Sequence, residues 1–392
     1  MKTYPVKFYN ESMQGAGNTQ DGVAGGMIAI LKSCLVDGFG SLPVDNLTWD
    51  TEENSAKATF NNGHSYHVDS IITCNGATPV DYNGEHRILK ATNNDIWFEL
   101  DAPPVGDASG EIDIKIAPLG WEISHANANS DIIIFKPKGD IGNVSLRIDN
   151  SAYSGWNGSN GYGQLMKADL VEDVVDIDNY KLIATKALPA TGRYSNYSWD
   201  LVGDSRFFCL LPEYGVAKVQ AGYYVGYIDS IKQGDKYHFV LSHLRSSSSA
   251  SADNYWNQAN DAYKCYSFFA SNMQFESQII ARKYSQMEGV DSWCKTGLGS
   301  RNSDLLQSPN PVDNGFYIND TPPMVLESNR ELRGFLPIVI NPLSDHIPYR
   351  NVNLKNLPEF PNKIFRFLKS TYDNRSSSNE TLVGFDISTV EV

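Results

Sequence analysis

Short runs of β-branched, aromatic and other apolar residues alternate along this chain with turn-forming Asn, Gly, Asp and Pro. The alternation is clearest in residues 58–100, where Asn62-Gly63, Asn75-Gly76 and Asn83-Gly84 border such runs, among them a predicted strand from Val68 to Cys74. Asn-Gly between two apolar runs favours a tight hairpin turn, and the glycine then adopts a positive φ. The stretch therefore predicts a compact β-meander or a small β-barrel.

The same pattern continues towards the C-terminus. Residues 111–116 alternate strictly between polar and apolar side chains, which is typical of a strand with one buried face. Further strands are predicted at residues 131–136, 144–148, 180–185, 206–211, 223–228, 237–242 and 263–269. Strands at this spacing, with few helical segments between them, are typical of an antiparallel β-sandwich.

One helix is predicted near the N-terminus, in residues 21–36. Apolar residues recur there at spacings of three and four, namely Val23, Met27, Ile30, Leu31, Cys34 and Leu35. Gly25 and Gly26 lower its intrinsic stability, so we expect the helix to depend on packing, and Asp37-Gly38 to end it.

Prolines divide the chain into two predicted domains. Pro103, Pro104 and Pro118 lie where the first group of strands ends, and new strands begin at Gly120-Trp121 without a linker. We therefore interpret residues 42–118 as a small β-module inserted into a main β-sandwich domain made of residues 1–41 and 119–392.

The C-terminal part of the main domain is rich in proline between residues 309 and 361. Pro337 and Pro342 should interrupt any regular central strand, which predicts an extended arm with apolar side chains that need cover. The arm residues are Leu332, Phe335, Leu336, Ile338, Val339, Ile340 and Leu343. The arm either docks on another polypeptide as an assembly device or covers the chain's own sandwich.

Composition limits the classes of function. The 392 residues include 32 basic and 46 acidic side chains, a net charge of −14, which argues against wrapping nucleic acid. No apolar run approaches the roughly 18 residues of a membrane span, and no signal peptide follows Met1. We expect a protein made in a cytoplasm and released only by another route, such as lysis of a host cell.

Metal sites and disulfides are not expected. The five cysteines, Cys34, Cys74, Cys209, Cys265 and Cys294, are scattered and predict reduced thiols. His64 and His67 would point to opposite faces of a strand, so that with Asp69 they make no metal site; His238 and His243 are interpreted in the same way. The acidic group Glu172, Asp173, Asp176 and Asp178 lacks the glycine of a calcium loop, and we expect a solvated edge or turn.

No enzyme is predicted and no cofactor is implied. Gly-x-Ser-x-Gly is absent, and the glycines in residues 158–163 lack the strand and helix of a dinucleotide site. Aromatic side chains beside amide-rich loops could instead stack on sugar rings or contact a partner. These candidates are Trp156, Tyr162, Trp256 and Trp293.

Several short motifs resemble a known group of proteins. The pattern His64-x-x-x-Val68-Asp69-x-Ile71, then Gly76-Ala77-Thr78-Pro79 and Asn83-Gly84-Glu85-x-Arg87, resembles a β-module of structural proteins of tailed bacteriophages. Further landmarks are similar to an uncharacterised virion family of the tail and baseplate gene region: residues 34–40, 117–121, 146–149, 201–204, 332–334 and 384–387. That family ends in an aromatic tail after its last Asp-Ile, whereas this chain ends Ser388-Thr389-Val390-Glu391-Val392.

The resemblance implies a structural component of the virion. It would lie in the distal tail as a baseplate protein, a tail-tip protein or an adaptor for receptor-binding fibres, in a symmetric ring with copies of itself and other tail proteins. The alternatives are a receptor-binding or carbohydrate-binding tail protein that contacts a host surface glycan and, with less support, a polysaccharide-degrading enzyme.

Overall fold

A computed structural model describes residues 2–17, 25–139, 141–151, 164–191, 198–214, 219–220, 222–243, 278–284, 289–296, 312–319, 321–342, 351–371 and 380–391. The first strands are β1 Lys2–Thr3, β2 Lys7–Asn10, β3 Phe39–Pro43, β4 Asn46–Asp50, β5 Ser55–Thr59, β6 Ile71–Asn75, β7 Gly84–Ala91, β8 Asp95–Phe98 and β9 Asp113–Ile116. They are followed by β10 Glu122–Ala126, β11 Ile132–Lys136, β12 Ser145–Asp149, β13 Gln164–Glu172, β14 Lys181–Thr191, β15 Trp199–Gly203, β16 Phe207–Tyr214, β17 Val219–Gln220, β18 Tyr223–Tyr227, β19 Asp229–Ser230 and β20 Phe239–Ser242. The last are β21 Gln278–Ile280, β22 Asp291–Thr296, β23 Ile318–Asn319, β24 Met324–Glu327, β25 Leu332–Phe335, β26 Val339–Pro342, β27 Val352–Leu357, β28 Phe360–Thr371, β29 Glu380–Asp386 and β30 Val390–Glu391.

The predicted helix is present but short. Helix α1 spans Gly26–Lys32 and continues as a π-helical turn, Ser33–Asp37, which ends at Gly38 with φ +71°. Met27, Ile30, Leu31, Cys34 and Leu35 are buried as predicted, and so is Ile28, whereas Val23 lies outside the described residues. The prediction of a mainly β chain with one N-terminal helix is therefore confirmed.

Seven strands from one continuous stretch of chain form a sheet of their own. Their spatial order is β3-β9-β6-β7-β8-β5-β4, and all pairs are antiparallel. Gly63, Gly76 and Gly84 adopt positive φ, as the Asn-Gly pairs predicted. The strand predicted from Val68 begins only at Ile71, because residues 61–70 form turns and irregular chain.

The remaining strands form four further antiparallel sheets in the described ranges. They are β10-β11-β12-β13-β14, an eleven-stranded sheet β19-β25-β24-β22-β21-β20-β18-β16-β15-β2 with β17 on β16, β23-β26-β29-β28-β27, and the pair β1-β30. Within the described residues no sheet closes into a barrel. One continuous hydrophobic core takes side chains from the seven-stranded sheet, the eleven-stranded sheet, β10–β14 and α1. The strand predicted at residues 263–269 lies outside the described part.

The sequence predicted an extended C-terminal arm whose apolar side chains lack cover, and this prediction is wrong. Its residues belong to β25 in the eleven-stranded sheet and to β26, which lies between β23 and β29. Leu336 is fully buried and Ile340 is 7% exposed, while Leu332, Phe335 and Ile338 are half-buried. Leu343 lies outside the described residues.

The two prolines explain the difference. Pro342 is the last residue of β26 and Pro337 lies in the turn that leads into it, so neither interrupts the middle of the strand. The segment covers the chain's own core, which was the open alternative.

The ends of the chain are tied to the seven-stranded sheet. β1 pairs with β30 in register Lys2 to Glu391. Lys2 Nζ lies 2.8 Å from a carboxylate oxygen of Glu99, and Arg87 Nη2 donates to the carbonyl of Ile387 at 2.6 Å. Among the described residues, no helix is long and apolar enough to cross a membrane.

Candidate functional site

A polar pocket lies where three parts of the fold meet. Its walls come from the end of β2, the loop before β6, strands β15 to β17 and strand β28, and its volume is about 340 Å³. The lining residues are Asn10, Glu11, Ser12, His67, Ser198, Asp200, Glu213, Gln220, Asn351, Arg366 and Lys369. Titratable side chains from distant segments converge here, so we take the pocket as the candidate site.

Asp200 forms the floor of the pocket. It lies on β15, between β16 and β2, and is 7% exposed. Arg366 Nη2 donates to its Oδ1 at 3.3 Å, and Gln220 Nε2 donates to its Oδ2 at 3.0 Å. Burial raises the pKa of Asp200, and the guanidinium of Arg366 acts in the opposite direction. Both carboxylate oxygens have partners, so Asp200 serves chiefly to hold Arg366 and Gln220 in place.

Arg366 connects this floor to a second polar group. It lies on β28 at 7% exposure, with its guanidinium 4.2 Å from the ring centroid of Phe8. Its Nη1 donates to Asn353 Oδ1 at 3.1 Å, and Asn353 Nδ2 donates to Asp69 at 3.0 Å. The Nε atom is buried and has no hydrogen-bond partner in the described part of the chain. Burial lowers the pKa of Arg366, although Asp200 opposes this.

Two glutamates flank the first residues of β15. The amide of Ser198 donates to Glu213 Oε2, and the amide of Trp199 donates to Glu11 Oε2, each at 3.1 Å. Successive amides of an extended chain point to opposite sides, which places the two carboxylates on either side of β15. Each glutamate thus has one oxygen fixed by the backbone of β15 and a second oxygen that this backbone does not engage.

The rim of the pocket carries His67 and Ser12. Ser12 Oγ lies 3.4 Å from His67 Nε2 and donates to Asn10 Oδ1 at 2.7 Å. Burial lowers the pKa of His67, which favours the neutral imidazole at neutral pH. The site as a whole offers hydroxyl, amide, carboxylate and cationic groups within one cavity, and it is suited to hydrogen-bonding a small polar ligand.

The predicted aromatic contacts do not form part of this pocket. Trp293 is fully buried, so the prediction of an exposed Trp293 is wrong: a buried indole cannot stack on a sugar ring. The indole lies on β22, inside the eleven-stranded sheet, where its size fills the core. Trp156, Tyr162 and Trp256 lie outside the described residues.

His64, His67 and Asp69 do not come together in space. The strand that was expected to separate them is absent, and each side chain instead has different neighbours. His64 stacks on Tyr66, His67 lines the pocket, and the carboxylate of Asp69 binds Lys355 at 2.5 Å. No group of three or more His, Cys, Asp or Glu side chains in the described ranges is arranged to hold a metal ion.

The acidic group that begins at Glu172 divides into two parts. Asp176 accepts hydrogen bonds from the backbone amides of Asp178 and Asn179, as a turn residue does. Glu172 is 3% exposed and pairs with Arg282 and Lys181. The prediction of a solvated edge is therefore wrong for Glu172, because basic side chains from β14 and from the segment after β21 reach it.

The cysteines that the structure describes are thiols in apolar surroundings. Cys34, Cys74 and Cys209 are buried, and burial raises the pKa of each. Cys265 and the side chain of Cys294 lie outside the described part.

The pocket was not predicted from the sequence. Asp200 and Arg366 are 166 residues apart, and neither lies in a motif that suggests chemistry. The available signal was a charged residue inside an apolar run, Asp200 in Trp-Asp-Leu-Val, since a buried charge requires a partner.

The chain matches no family model and none of the curated proteins.

Proposed function

We propose that this protein is a structural component of a tailed-bacteriophage virion, in the distal tail as a baseplate protein, a tail-tip protein or an adaptor for receptor-binding fibres. One observation carries the proposal: several of the short sequence stretches that resemble the phage family lie in direct contact, although they are far apart in the chain. Such contacts are expected if these stretches are parts of one structural unit.

The first junction joins the end of the N-terminal helix to the stretch at residues 117–121. The amides of Gly120 and Trp121 donate to the carbonyl of Leu35 at 3.0 and 2.9 Å, and the amide of Leu119 donates to that of Cys34 at 2.8 Å. These bonds satisfy carbonyl groups that a helix leaves unpaired at its C-terminal end. Two landmark stretches thus form one structural unit.

A third landmark joins the same unit. The indole Nε1 of Trp121 donates to the carbonyl of Asp204 at 2.9 Å. A Cβ at Gly203 would lie 2.3 Å from the carbonyl oxygen of Phe207 and 3.0 Å from a methyl group of Leu119. Glycine at position 203 therefore permits the close approach of these segments.

The second junction lies in the seven-stranded sheet. Asn83 Oδ1 accepts from the amide of Ala77 at 2.9 Å, and its Nδ2 donates to the carbonyl of Ala77 at 2.7 Å. Arg87, from the same motif, reaches Ile387 at the end of the chain. The module motif and the last landmark are therefore connected by a buried guanidinium.

We place these units in a β-sandwich main domain, with residues 42–118 as an inserted module of meander type. The antiparallel sheets support this arrangement, and so does the seven-stranded sheet, which one continuous stretch of chain forms. A symmetric ring is the arrangement we propose for the assembled subunits, because closed symmetry limits the growth of an assembly of identical copies.

Purified particles of the phage that encodes the chain test the proposal. Quantitative mass spectrometry should detect the protein in a fixed ratio to other tail proteins, and cryo-electron microscopy should place it in a ring at the distal tail. Absence from particles that contain all other tail proteins would refute the proposal. Detection in the head or the neck would refute the location alone.

A further inference from the structure

The Asn-Gly pairs of this chain are sites at which a covalent reaction can occur. Asparagine is one of the thermolabile residues. It reacts most readily before glycine, because the next amide nitrogen attacks the side-chain carbonyl carbon and glycine has no side chain that obstructs the attack. In the described part of the chain such pairs begin at Asn62, Asn75, Asn83 and Asn314. Their surroundings differ in the structure.

The side chain of Asn83 is held at both of its polar ends. Its Oδ1 accepts from the amide of Ala77 at 2.9 Å, and its Nδ2 donates to the carbonyl of Ala77 at 2.7 Å. Attack on the side chain requires it to rotate, which breaks both hydrogen bonds and leaves backbone groups of the buried Ala77 unpaired. The fold therefore protects Asn83.

At two other pairs a hydrogen bond engages the attacking nitrogen. The amide of Gly63 donates to the carbonyl of Phe60 at 3.0 Å, and the amide of Gly315 donates to Asp313 Oδ1 at 2.9 Å. The nitrogen attacks in its deprotonated form, whereas a donated hydrogen bond stabilises the N–H form. Asn62 and Asn314 should therefore react more slowly than an unconstrained pair.

Neither constraint applies to Asn75 and Gly76. Both residues are exposed, and Gly76 follows the last residue of β6, outside the ladder of the sheet. In the described ranges no hydrogen bond engages the Asn75 side chain or the Gly76 amide. Water thus reaches both reacting groups.

We propose that Asn75 deamidates spontaneously to aspartate and isoaspartate, and that this change weakens the pairing of β6 with β9. The nitrogen of Gly76 forms a bond to Cγ of Asn75, the bond from Cγ to Nδ2 breaks, and Nδ2 leaves as ammonia with the proton that the Gly76 nitrogen gave up. Water then opens the cyclic imide, at Cγ to give aspartate or at the main-chain carbonyl carbon to give isoaspartate. The net reaction consumes water and releases ammonia, without oxidation or reduction.

The effect on the sheet follows from the register. Asn75 pairs directly with Asp113 on β9, so the new carboxylate lies opposite an existing one. Like charges at directly opposed positions of a sheet are destabilising. Isoaspartate also lengthens the main chain at the end of β6.

The test is incubation of the full chain at mildly alkaline pH, with peptide mapping by mass spectrometry over time. In the folded chain Asn75 should convert at least about tenfold faster than Asn83, whose two hydrogen bonds must first break. The same incubation in guanidinium chloride is the control. There the fold is absent, and the two asparagines should convert at similar rates.

Two results would overturn the assignment of this site. One is equal conversion of Asn75 and Asn83 in the folded chain, and the other is an Asn75 that stays intact in the folded chain while it converts in guanidinium chloride. The inference does not depend on a virion role.

The variant Asn75→Gln tests the effect on stability. It keeps a neutral amide at an exposed position, but glutamine reacts far more slowly because it must close a larger ring. After equal incubation, the unchanged chain should unfold at a lower denaturant concentration than Asn75→Gln, whereas freshly prepared samples should agree. Equal midpoints after conversion of Asn75 would overturn the proposed weakening of the β6–β9 pair.

Discussion

Gly76 and Gly110 lie in contact where the chain leaves β6 and returns towards β9. Their φ angles are +80° and +121°, and a Cβ at Gly76 would lie 2.1 Å from the carbonyl oxygen of Glu111. A backbone atom at that distance cannot move aside as a flexible side chain would. Both the conformation and the space at position 76 therefore require glycine.

Replacement of Gly76 by alanine should lower the free energy of unfolding by at least about 2 kcal/mol, from backbone strain and from the clash. Gly106→Ala, in the same loop region, is the matched control. A Cβ at position 106 would have no neighbouring atom within 4 Å, so this change should alter stability by less than about 0.5 kcal/mol. Urea denaturation followed by circular dichroism measures both, and equal effects would contradict the role of Gly76.

His86 gives the chain a pH-dependent stability at the residue scale. It is 8% exposed, stacks on Phe98 and has its Nε2 2.9 Å from the carbonyl of Tyr82, to which it donates. Burial lowers its pKa below that of an unfolded chain, against the opposing effect of nearby hydrogen bonds and Glu99. Above the unfolded pKa of about 6.5, His86 is neutral in both the folded and the unfolded chain, and the folded chain keeps its full stability. As the pH falls from there towards the folded pKa, the unfolded chain binds the proton first, and the folded chain loses stability.

We therefore expect His86→Gln and His86→Phe to flatten the dependence of unfolding free energy on pH between about 7.5 and 5.5, by at most about 1.4 kcal/mol per pH unit. The two variants differ in size and polarity, so their stability at pH 7.5 should differ while their slopes agree. Denaturation series at several pH values measure the slopes. A slope equal to that of the unchanged chain would show that folding does not lower the pKa of His86.

At the scale of elements, Arg333 joins strands that are distant in sequence. It lies on β25, is fully buried, and its Nε and Nη2 bind both carboxylate oxygens of Asp235 at 2.6 and 2.8 Å. Its Nη1 binds Glu327 on β24 and donates to the carbonyl of Arg282. Burial alone would raise the pKa of Asp235, but the hydrogen bonds and charge of Arg333 more than offset this, and the pKa is lowered.

Arg333→Met should destabilise the chain by about 3–5 kcal/mol, because it leaves two buried carboxylates without their cation. Arg330→Met, at an exposed position in the turn before β25, is the control and should have little effect. Thermal unfolding of both variants tests this, and a difference below about 1 kcal/mol would be inconsistent with it.

Because Arg333 holds these two carboxylates, we also expect deletion of residues 333–343 to unfold the monomer rather than leave it soluble.

At the scale of the whole molecule, one uninterrupted stretch of chain forms the seven-stranded sheet. The hydrophobic core of this sheet nevertheless merges with the core of the other sheets. Its first strand begins at Phe39, which pairs with Ile116, three residues before the predicted boundary at 42. The separate folding of this module stays a prediction.

A fragment of residues 39–118 should give a dispersed, β-rich NMR spectrum, because every backbone ladder of the sheet lies within it. A fragment of residues 42–118 lacks three of the five residues of β3 and should be less stable or unfolded. A random-coil spectrum from the longer fragment would show that the shared core, rather than the sheet, decides its folding.

The sequence by itself determined the local structure. It predicted the glycine turns, the buried face of α1, and strands such as β9, β11 and β16, because turn chemistry and the periodicity of apolar residues depend on near neighbours. It also placed the end of the helix at Asp37-Gly38, where φ +71° requires glycine. The same reasoning misplaced the start of β6, since irregular chain between strands carries similar residues.

Only the tertiary structure decided which side chains are covered and which charges meet. Leu336 and Trp293 looked available for contacts in the sequence, but strands from distant parts of the chain bury them. The pocket depends on Arg366 reaching Asp200 across 166 residues, and no local pattern encodes that distance. Burial and ion pairing are properties of neighbours in space, so they became visible only when the sheets were assembled.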